Sequence, residues 1–346
     1  MIKNILLVQL RQLGDILLTT PCTRELKKEF PDSNLFFLSH KMGKLILDDC
    51  PFIDGHFIYD PASSLKEQWK LIRLLRGLRI DIAFDFMNNP RSALYTYLSG
   101  ARKRYSFISS RKIFYTDTII RGSVDEYIVK EKFKLLQAAG MAPKCEKLVL
   151  AWGSEDLSPL SSFLETDSTF RDAHLRIVLS PTHRRARRKW AKENYVKLAD
   201  YLVRNWGAAV TWLWGPGELD EVTALQKACH EKTMISPKTT FKELAALIGN
   251  ADLFIGNSNG PSHVAVANDI CSLQLHGHTN MKSWCPLNDR HRAIQSSEYG
   301  QKLATLDSVT LENVIEVLND FKPYVENYAG CRKKAGTRIS WQQNIS

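Results

Sequence analysis

At 346 residues the chain is long enough for two domains with separate cores, and 44% hydrophobic with 24% charged residues excludes a disordered or fibrous class. Lysine and arginine exceed aspartate and glutamate by 10, which suggests a polyanionic partner: nucleic acid, an anionic membrane surface or an acidic glycolipid. Seven scattered cysteines without a C-x-x-C pair argue against a disulfide framework or a zinc site and fit a reducing cytoplasm, and no apolar run approaches the ~18 residues of a membrane span.

The apolar run Ile5 to Val8 ends in a polar loop, and Gly14 stands where the backbone turns tightly or approaches a ligand, so the opening reads as strand, loop, helix. Asp15 falls at the helix start, where exposed amides and the helix dipole favour an ionised carboxylate. On position alone that suits a helix cap first, and it also suits a general base at the carboxyl end of a first parallel strand.

Apolar runs of strand length then alternate with helical patterns, the signature of βαβ units. Strands are expected near 4–9, 34–39, 54–59, 81–86 and 102–106, with helices near 15–30, 41–49, 64–78, 91–99 and 124–139. In the third helix Leu65, Trp69, Ile72, Leu75 and Leu78 recur at three- or four-residue spacing and are expected in the core. Asn88-Asn89-Pro90-Arg91-Ser92 ends the fourth strand in a polar loop, where Asn89 and Ser92 are either turn and cap residues or the border of a site.

Arg102, Lys103, Arg104, Arg111 and Lys112 form either a solvated face or a docking patch for an acidic acceptor. A last strand at 147–151 is expected to close this half. The Ser-, Pro- and Asp-rich stretch 153–168 reads as a linker, which places a boundary near 165.

The second half restarts with strands near 175–180, 209–214, 233–235, 252–256 and 271–275 and helices near 193–206, 218–230, 240–249, 260–268 and 310–321. Its first loop, Thr182 to Trp190, carries five cations among six residues. Cations and helix-terminal amides there suit a pyrophosphate. After the strand 252–256, a small-residue loop leads into a helix at Pro261, so amides near Gly260 face an anion.

No Asp-x-Asp pair, P-loop or G-x-S-x-G elbow is present, and Gly215-Pro216-Gly217 lacks the third glycine of a dinucleotide fingerprint. No metal or cofactor is therefore expected, and His276 and His278 read as loop residues.

Gly14-Asp15 followed by Thr20-Pro21, Leu26-Lys27-Lys28 and Pro31, the segment 81–92, a cation two residues before Trp190, and Gly260 with His263 together resemble the ADP-heptose:lipopolysaccharide heptosyltransferases, glycosyltransferase family 9. The resemblance implies an α/β GT-B fold, two Rossmann-like doubly wound domains facing across a cleft, 1–165 on the acceptor side and 166–346 on the donor side. It implies inverting transfer of a heptose from ADP-heptose to the inner core of lipopolysaccharide, with Asp15 as base and Gly14, Arg11, Asn89, Arg91, Arg102 and Arg104 on the acceptor side.

For the donor it implies Thr182, Arg188, Glu218, Thr239, Ser258, Asn259, Gly260 and His263. Arg188 takes the place of the family's usual Lys, and Ser258 stands where Asp is usual. Thr239 matches a loop that contacts adenine, and Glu218 is placed to meet ribose hydroxyls. The partners implied are the nucleotide-sugar, an anionic glycolipid and the inner face of the cytoplasmic membrane, without nucleic acid. The alternatives are a family 9 enzyme for another nucleotide-sugar and a non-catalytic nucleic-acid-binding protein.

Overall fold

The computed structural model describes residues 2–166 and 172–334, and the chain divides into two units between Ala151 and Trp152. In the first unit the strands are β1 (Asn4–Val8), β2 (Asn34–His40), β3 (Gly55–Tyr59), β4 (Ile82–Asp85), β5 (Lys103–Phe107) and β6 (Asp117–Ile119). All pair in parallel, in the order β3-β2-β1-β4-β5-β6. Ile5 to Val8 are wholly buried, the unbroken apolar run of a strand covered on both faces. The order reverses between β1 and β4, where Val8 stands in register with Asp85, so the loops after these strands diverge and leave a crevice at their carboxyl ends.

The α-helices of five residues or more are α1 (Leu13–Leu17), α2 (Thr20–Glu29), α3 (Leu65–Gly77), α4 (Pro90–Leu98) and α5 (Ile128–Ala138), and the expected helix at 41–49 is the short turn Lys44–Leu47. The expected single helix over 15–30 is two. Thr19 Oγ1 donates to the Asp15 carbonyl at 2.7 Å, and Pro21 in the first turn of α2 has no amide to continue the ladder. Helix α3 opens with Ser64 capping the Glu67 amide, and it rests on the core through Ile72 and Leu75. Leu65 and Trp69, expected in the core, are 75% and 56% exposed because burial is confined to the helix's carboxyl half.

The expected strand 147–151 is not a strand. Leu148, Val149 and Leu150 are buried, but the Val149 amide donates to Thr20 Oγ1 at 2.8 Å, a side chain of α2, and the sheet edge belongs to the three-residue β6 instead.

The second unit carries β7 (Leu175–Ser180), β8 (Ala208–Trp212), β9 (Met234–Ile235), β10 (Leu253–Asn257), β11 (Cys271–His276) and β12 (His291–Gln295). These are again parallel, in the order β12-β11-β10-β7-β8-β9, with the reversal between β7 and β10. A Cβ on Gly256 would lie 2.8 Å from Ser180 Cβ in that pair, so only glycine fits this crossing. The helices are α6 (Lys192–Trp206), α7 (Leu219–Ala228), α8 (Phe241–Gly249), α9 (Gly260–Ala267) and α10 (Leu311–Lys334). Gly207 ends α6 at φ +59°.

Helix α10 runs on well past the expected 321, through Pro323. A buried stripe of Val314, Leu318, Phe321, Val325 and Ala329 carries it, and Arg332 donates to the carbonyls of Ala251 and Gly249 at 2.5 and 2.6 Å. The compositional boundary near 165 is displaced to 151 because the supposed linker belongs to this unit. Trp152 is buried with Nε1 donating to Asn268 Oδ1 at 2.7 Å, and the helical turn Ser154–Leu157 packs on α8. The end of that stretch, 167–168, and the tail 335–346 lie outside the described residues.

The loop after β7 is fixed by one side chain of β10. Asn257 is wholly buried, with Oδ1 accepting from the Trp190 amide at 3.1 Å and the Tyr195 hydroxyl at 3.2 Å, while Nδ2 donates to the Pro181 carbonyl at 2.8 Å. Asn257→Ala takes the partner from the buried Trp190 amide and the Pro181 carbonyl, leaving the Tyr195 hydroxyl only the Ser180 carbonyl at 3.3 Å, and is expected to destabilise the fold by about 2–4 kcal/mol. Urea unfolding checks it, and a loss below about 0.5 kcal/mol would mean that the hub is dispensable.

Candidate active site

In the first unit the candidate site residues after β1 and β4 lie at the carboxyl ends of these strands. Asp15 is the third residue of α1, half-buried, and its Oδ2 accepts from the Gln12 amide at 3.1 Å, so it closes the helix start from inside the first turn. Gly14 lies within α1, donates no tight turn and is absent from the glycines with positive φ, so the expected turn does not exist there. Arg11 is exposed, and its carbonyl accepts from Gln9 Nε2.

The β4 loop is built on Asp85, which is wholly buried and accepts from the Tyr115 hydroxyl at 2.6 Å and from the Met87 and Asn88 amides at 2.9 Å. Burial pushes this carboxyl up against those hydrogen bonds. Arg111 donates to the Asn88 carbonyl at 2.8 Å, and Asn88 itself takes φ +50°. Asn89 is the α4 cap, with Oδ1 accepting from the Arg91 and Ser92 amides at 2.9 and 2.8 Å. Arg91 lies with its guanidinium 5.9 Å from the Tyr59 ring centre and donates to the Tyr59 hydroxyl.

Arg102 and Arg104 do not join this group. They lie at the amino end of β5, the opposite edge of the sheet. Arg102 is 3.6 Å from Asp81, and Arg104 donates to the Phe114 and Ala101 carbonyls at 2.8 and 2.6 Å. The basic run straddles a strand, and only its second part, Arg111 and Lys112, follows the carboxyl end.

In the second unit the loops after β7 and β10 meet at the reversal. Asn259 caps α9 through the Ser262 amide at 3.3 Å, and its Nδ2 lies 3.2 Å from both Ser180 Oγ and the Thr182 carbonyl. Thr182 Oγ1 donates to Glu218 Oε2 at 2.6 Å, and the same oxygen accepts the Gly215 amide at 2.8 Å. Thr182, Glu218, Asn259 and Gly260 are therefore brought together, with Ser258 one residue before the cap. A Cβ on Gly260 would meet nothing within 4 Å, so space does not demand glycine there. Thr239 stands just before Thr240, the actual cap of α8.

Arg188 ends a 3-10 turn, and its Nε is buried without a hydrogen-bond partner. Burial, then Arg185 and Arg187, lower its pKa. His263, in the first turn of α9, is buried with its ring 5.9 Å from that of Trp284. His276, expected in a loop, is the wholly buried last residue of β11; its Nδ1 lies 3.1 Å from Thr279 Oγ1 and its Nε2 has no partner. His278 is exposed.

Among the described residues no group of three or more His, Cys, Asp or Glu side chains converges to hold a metal ion. Sequence reasoning missed Asp85, Asn257 and Lys132, and two of these carried a signal. Asp85 is a carboxylate inside an apolar strand, and Lys132 sits on the apolar stripe of α5 with Val129, Phe133 and Leu136.

Residues 68–313 match the family model described as Glycosyltransferase family 9 (heptosyltransferase). The chain is 26% identical to lipopolysaccharide heptosyltransferase 3 of Escherichia coli K12, over 86% of this chain and 88% of that protein. It is 21% identical to the lipopolysaccharide core heptosyltransferase OpsX of Haemophilus influenzae, over 96% and 97%. Among solved structures, a glycosyl transferase family 9 protein of Veillonella parvula superposes with TM-score 0.80 at 19% identity, covering 92% of this chain and 97% of that one. E. coli heptosyltransferase WaaC with ADP-2-deoxy-2-fluoro heptose gives 0.72 at 16%, covering 92% and 99%. The fold class is thus the expected GT-B.

Burial first, then His263 and Arg188, lower His276 to about 3, and burial lowers His291 to about 4. A histidine depressed in the fold stabilises it above the unfolded pKa of ~6.5, and that contribution is lost as pH falls towards the folded value. Unfolding free energy should therefore decline as pH drops from 6.5 towards 4, and His276→Gln should flatten the decline by up to about 1.4 kcal/mol per pH unit. An unchanged slope in denaturant titrations would count against a neutral buried His276.

Proposed function

The chain belongs to glycosyltransferase family 9, and from that membership we propose that it moves a heptose from ADP-heptose to the inner core of lipopolysaccharide with inversion at the anomeric carbon. In this reading Asp15 takes the proton of the acceptor hydroxyl while that oxygen bonds the anomeric carbon from the face opposite ADP. The bond to ADP breaks with its electron pair on the diphosphate, whose charge is met by Arg188 and the amides at the start of α9.

The observation that carries the reading is that Asp15 and the Arg188 and Asn259 loops follow the strands at which each sheet's order reverses. The unpartnered buried Nε of Arg188 supports an anionic ligand there, and the complex of WaaC with a fluorinated ADP-heptose supports the donor. Ser258, where family members commonly have Asp, favours a second reading, a different nucleotide-sugar. Titration with ADP-heptose beside UDP- and GDP-sugars decides between them.

The acceptor class is supported by the surface of the first unit. Met42, Leu65, Ile108, Ile120 and Val124, each 45% or more exposed, follow the carboxyl ends of strands, and Lys41, Lys44, Lys66 and Lys112 are exposed in the segments after β2, β3 and β5. Exposed apolar side chains and cations at the same end of the sheet suit peripheral contact with an anionic cytoplasmic leaflet. No helix among the described residues is long and apolar enough to cross a membrane.

Asp15→Asn keeps an acceptor oxygen for the Gln12 amide, so it should hold donor affinity within a few-fold while turnover falls by about 10²–10⁴. Full turnover in that variant would end the assignment of the base. Arg188→Ala should weaken ADP binding by about 1.5–3 kcal/mol and leave adenosine nearly unaffected. Calorimetry of both ligands checks this, and equal losses would point to a disturbed loop.

A further inference from the structure

Helix α3 begins after the carboxyl end of β3, so its first turns stand at the end of the sheet where β1 leads to Asp15. Only its second half reaches the core, through Ile72 and Leu75, and Leu65 and Trp69, one turn apart, are left in water. At about 100° per residue, Leu65, Lys66, Trp69, Lys70, Arg73 and Arg76 share an arc of about 140°, all six exposed, while Ile72 and Leu75 lie outside that arc. Single apolar residues on a surface need no explanation. A leucine and a tryptophan on one cationic helix face are the pattern of a helix held at a membrane interface.

The neighbouring strand adds to the same edge. His40 of β2 is in register with Tyr59 of β3, so the segments that follow leave the sheet from paired strand ends, and the first of them carries the exposed Lys41, Met42 and Lys44. Two carboxylates enter the balance, and backbone amides hold both. Asp60 Oδ1 accepts from Ala62 at 2.9 Å, and Glu67 Oε2 accepts from Ser64 at 2.8 Å. Lys41, Lys44, Lys66 and Lys70 outnumber them, which leaves the edge net positive. An anionic bilayer complements it: Leu65, Trp69 and Met42 enter the headgroup layer, while the lysine stems lie along it with their ammonium groups at the phosphates. Nucleic acid offers the phosphates but no apolar layer for Leu65 and Met42. The turn Lys41–Gly43 also packs on α1, and only β2 separates β3 from β1, so the edge stands about 10 Å across the sheet from the strand that leads to Asp15.

We propose that the amino-terminal half of α3 docks on an anionic phospholipid bilayer, with Leu65 and Trp69 as its anchors and Lys66 and Lys70 selecting the negative surface. The docking stands on this helix alone. Its use, which is to bring the headgroup of a membrane-borne acceptor to the loop after β1, rests on the reading of the acceptor as a glycolipid.

The test sediments the full-length protein with vesicles of equal parts phosphatidylglycerol and phosphatidylethanolamine, with phosphatidylcholine vesicles, and titrates it with duplex DNA. The parent should bind the anionic vesicles at least about tenfold more tightly than phosphatidylcholine, and less tightly as salt rises. Leu65→Ser with Trp69→Ser, and separately Lys66→Gln with Lys70→Gln, should each weaken anionic binding by about tenfold or more, and acyl-brominated lipid should quench a tryptophan emission that the first variant lacks. Leu287→Ser with Leu303→Ser, exposed apolar positions of the second unit, should bind as the parent does. Binding by the α3 variants within about twofold of the parent, an equal loss in the second-unit variant, or tighter binding to DNA than to vesicles overturns the docking face. Kinetics separate it from the proposed function. The α3 variants should raise the KM of an acceptor embedded in vesicles and leave kcat, and the KM of a lipid-free oligosaccharide acceptor, unchanged. Transfer to the embedded acceptor with an unchanged KM refutes the docking face and keeps the function, whereas vesicle binding lost in the α3 variants of a protein that transfers no heptose keeps the docking face and refutes the function.

Discussion

Everything at the candidate site depends on a property of parallel sheets: strand order can reverse only where consecutive crossovers leave on opposite sides. In both units the reversal falls beside the first strand of the unit, β1 against β4 and β7 against β10. Each reversal leaves the loop ends of two neighbouring strands beside each other, bridged in the second unit by Asn259 against Ser180 and Thr182, while the strands themselves are buried on both faces.

A crevice of that kind needs support from behind, and each unit supplies it with a buried polar residue at the end of a central strand. Asp85 gathers two amides and a tyrosine hydroxyl, and Asn257 gathers an amide, a hydroxyl and a carbonyl. Neither touches solvent. Their role is to turn a flexible segment into a shaped one, which is what a site that depends on fixed dipoles and charges requires.

The alternation of apolar runs and helical stripes made both doubly wound units legible, as did the segments at the two reversals. Less legible were the edges. Asp117-Thr118-Ile119 pairs on one side only and has no apolar pattern to read, and β12 opens on His291 and Arg292. Leu65 and Trp69 followed a helical period faithfully, but period says which face a residue shares and not how far along the helix the core extends. The basic run 102–112 misled in another way: residues before a strand and residues after it lie at opposite ends of the sheet, although they are neighbours in the chain. Asp85 and Lys132 broke an apolar pattern, and such breaks mark positions where a compensating partner must exist.

The last helix has a consequence for how the chain is made. The core cluster of the first unit that holds Leu6, Val8 and Tyr95 is complete by Ala101, whereas that of the second draws on Val314, Leu318, Phe321, Val325 and Ala329. During synthesis from the amino terminus, the first unit can therefore collapse while the second is still emerging from the ribosome. The strands of the second unit must wait, partly uncovered, until α10 arrives and Arg332 reaches the carbonyls of Gly249 and Ala251. The vulnerable interval in the life of this protein is thus late in translation, and a nonsense codon upstream of Val325 would yield a chain with one finished half and one exposed sheet.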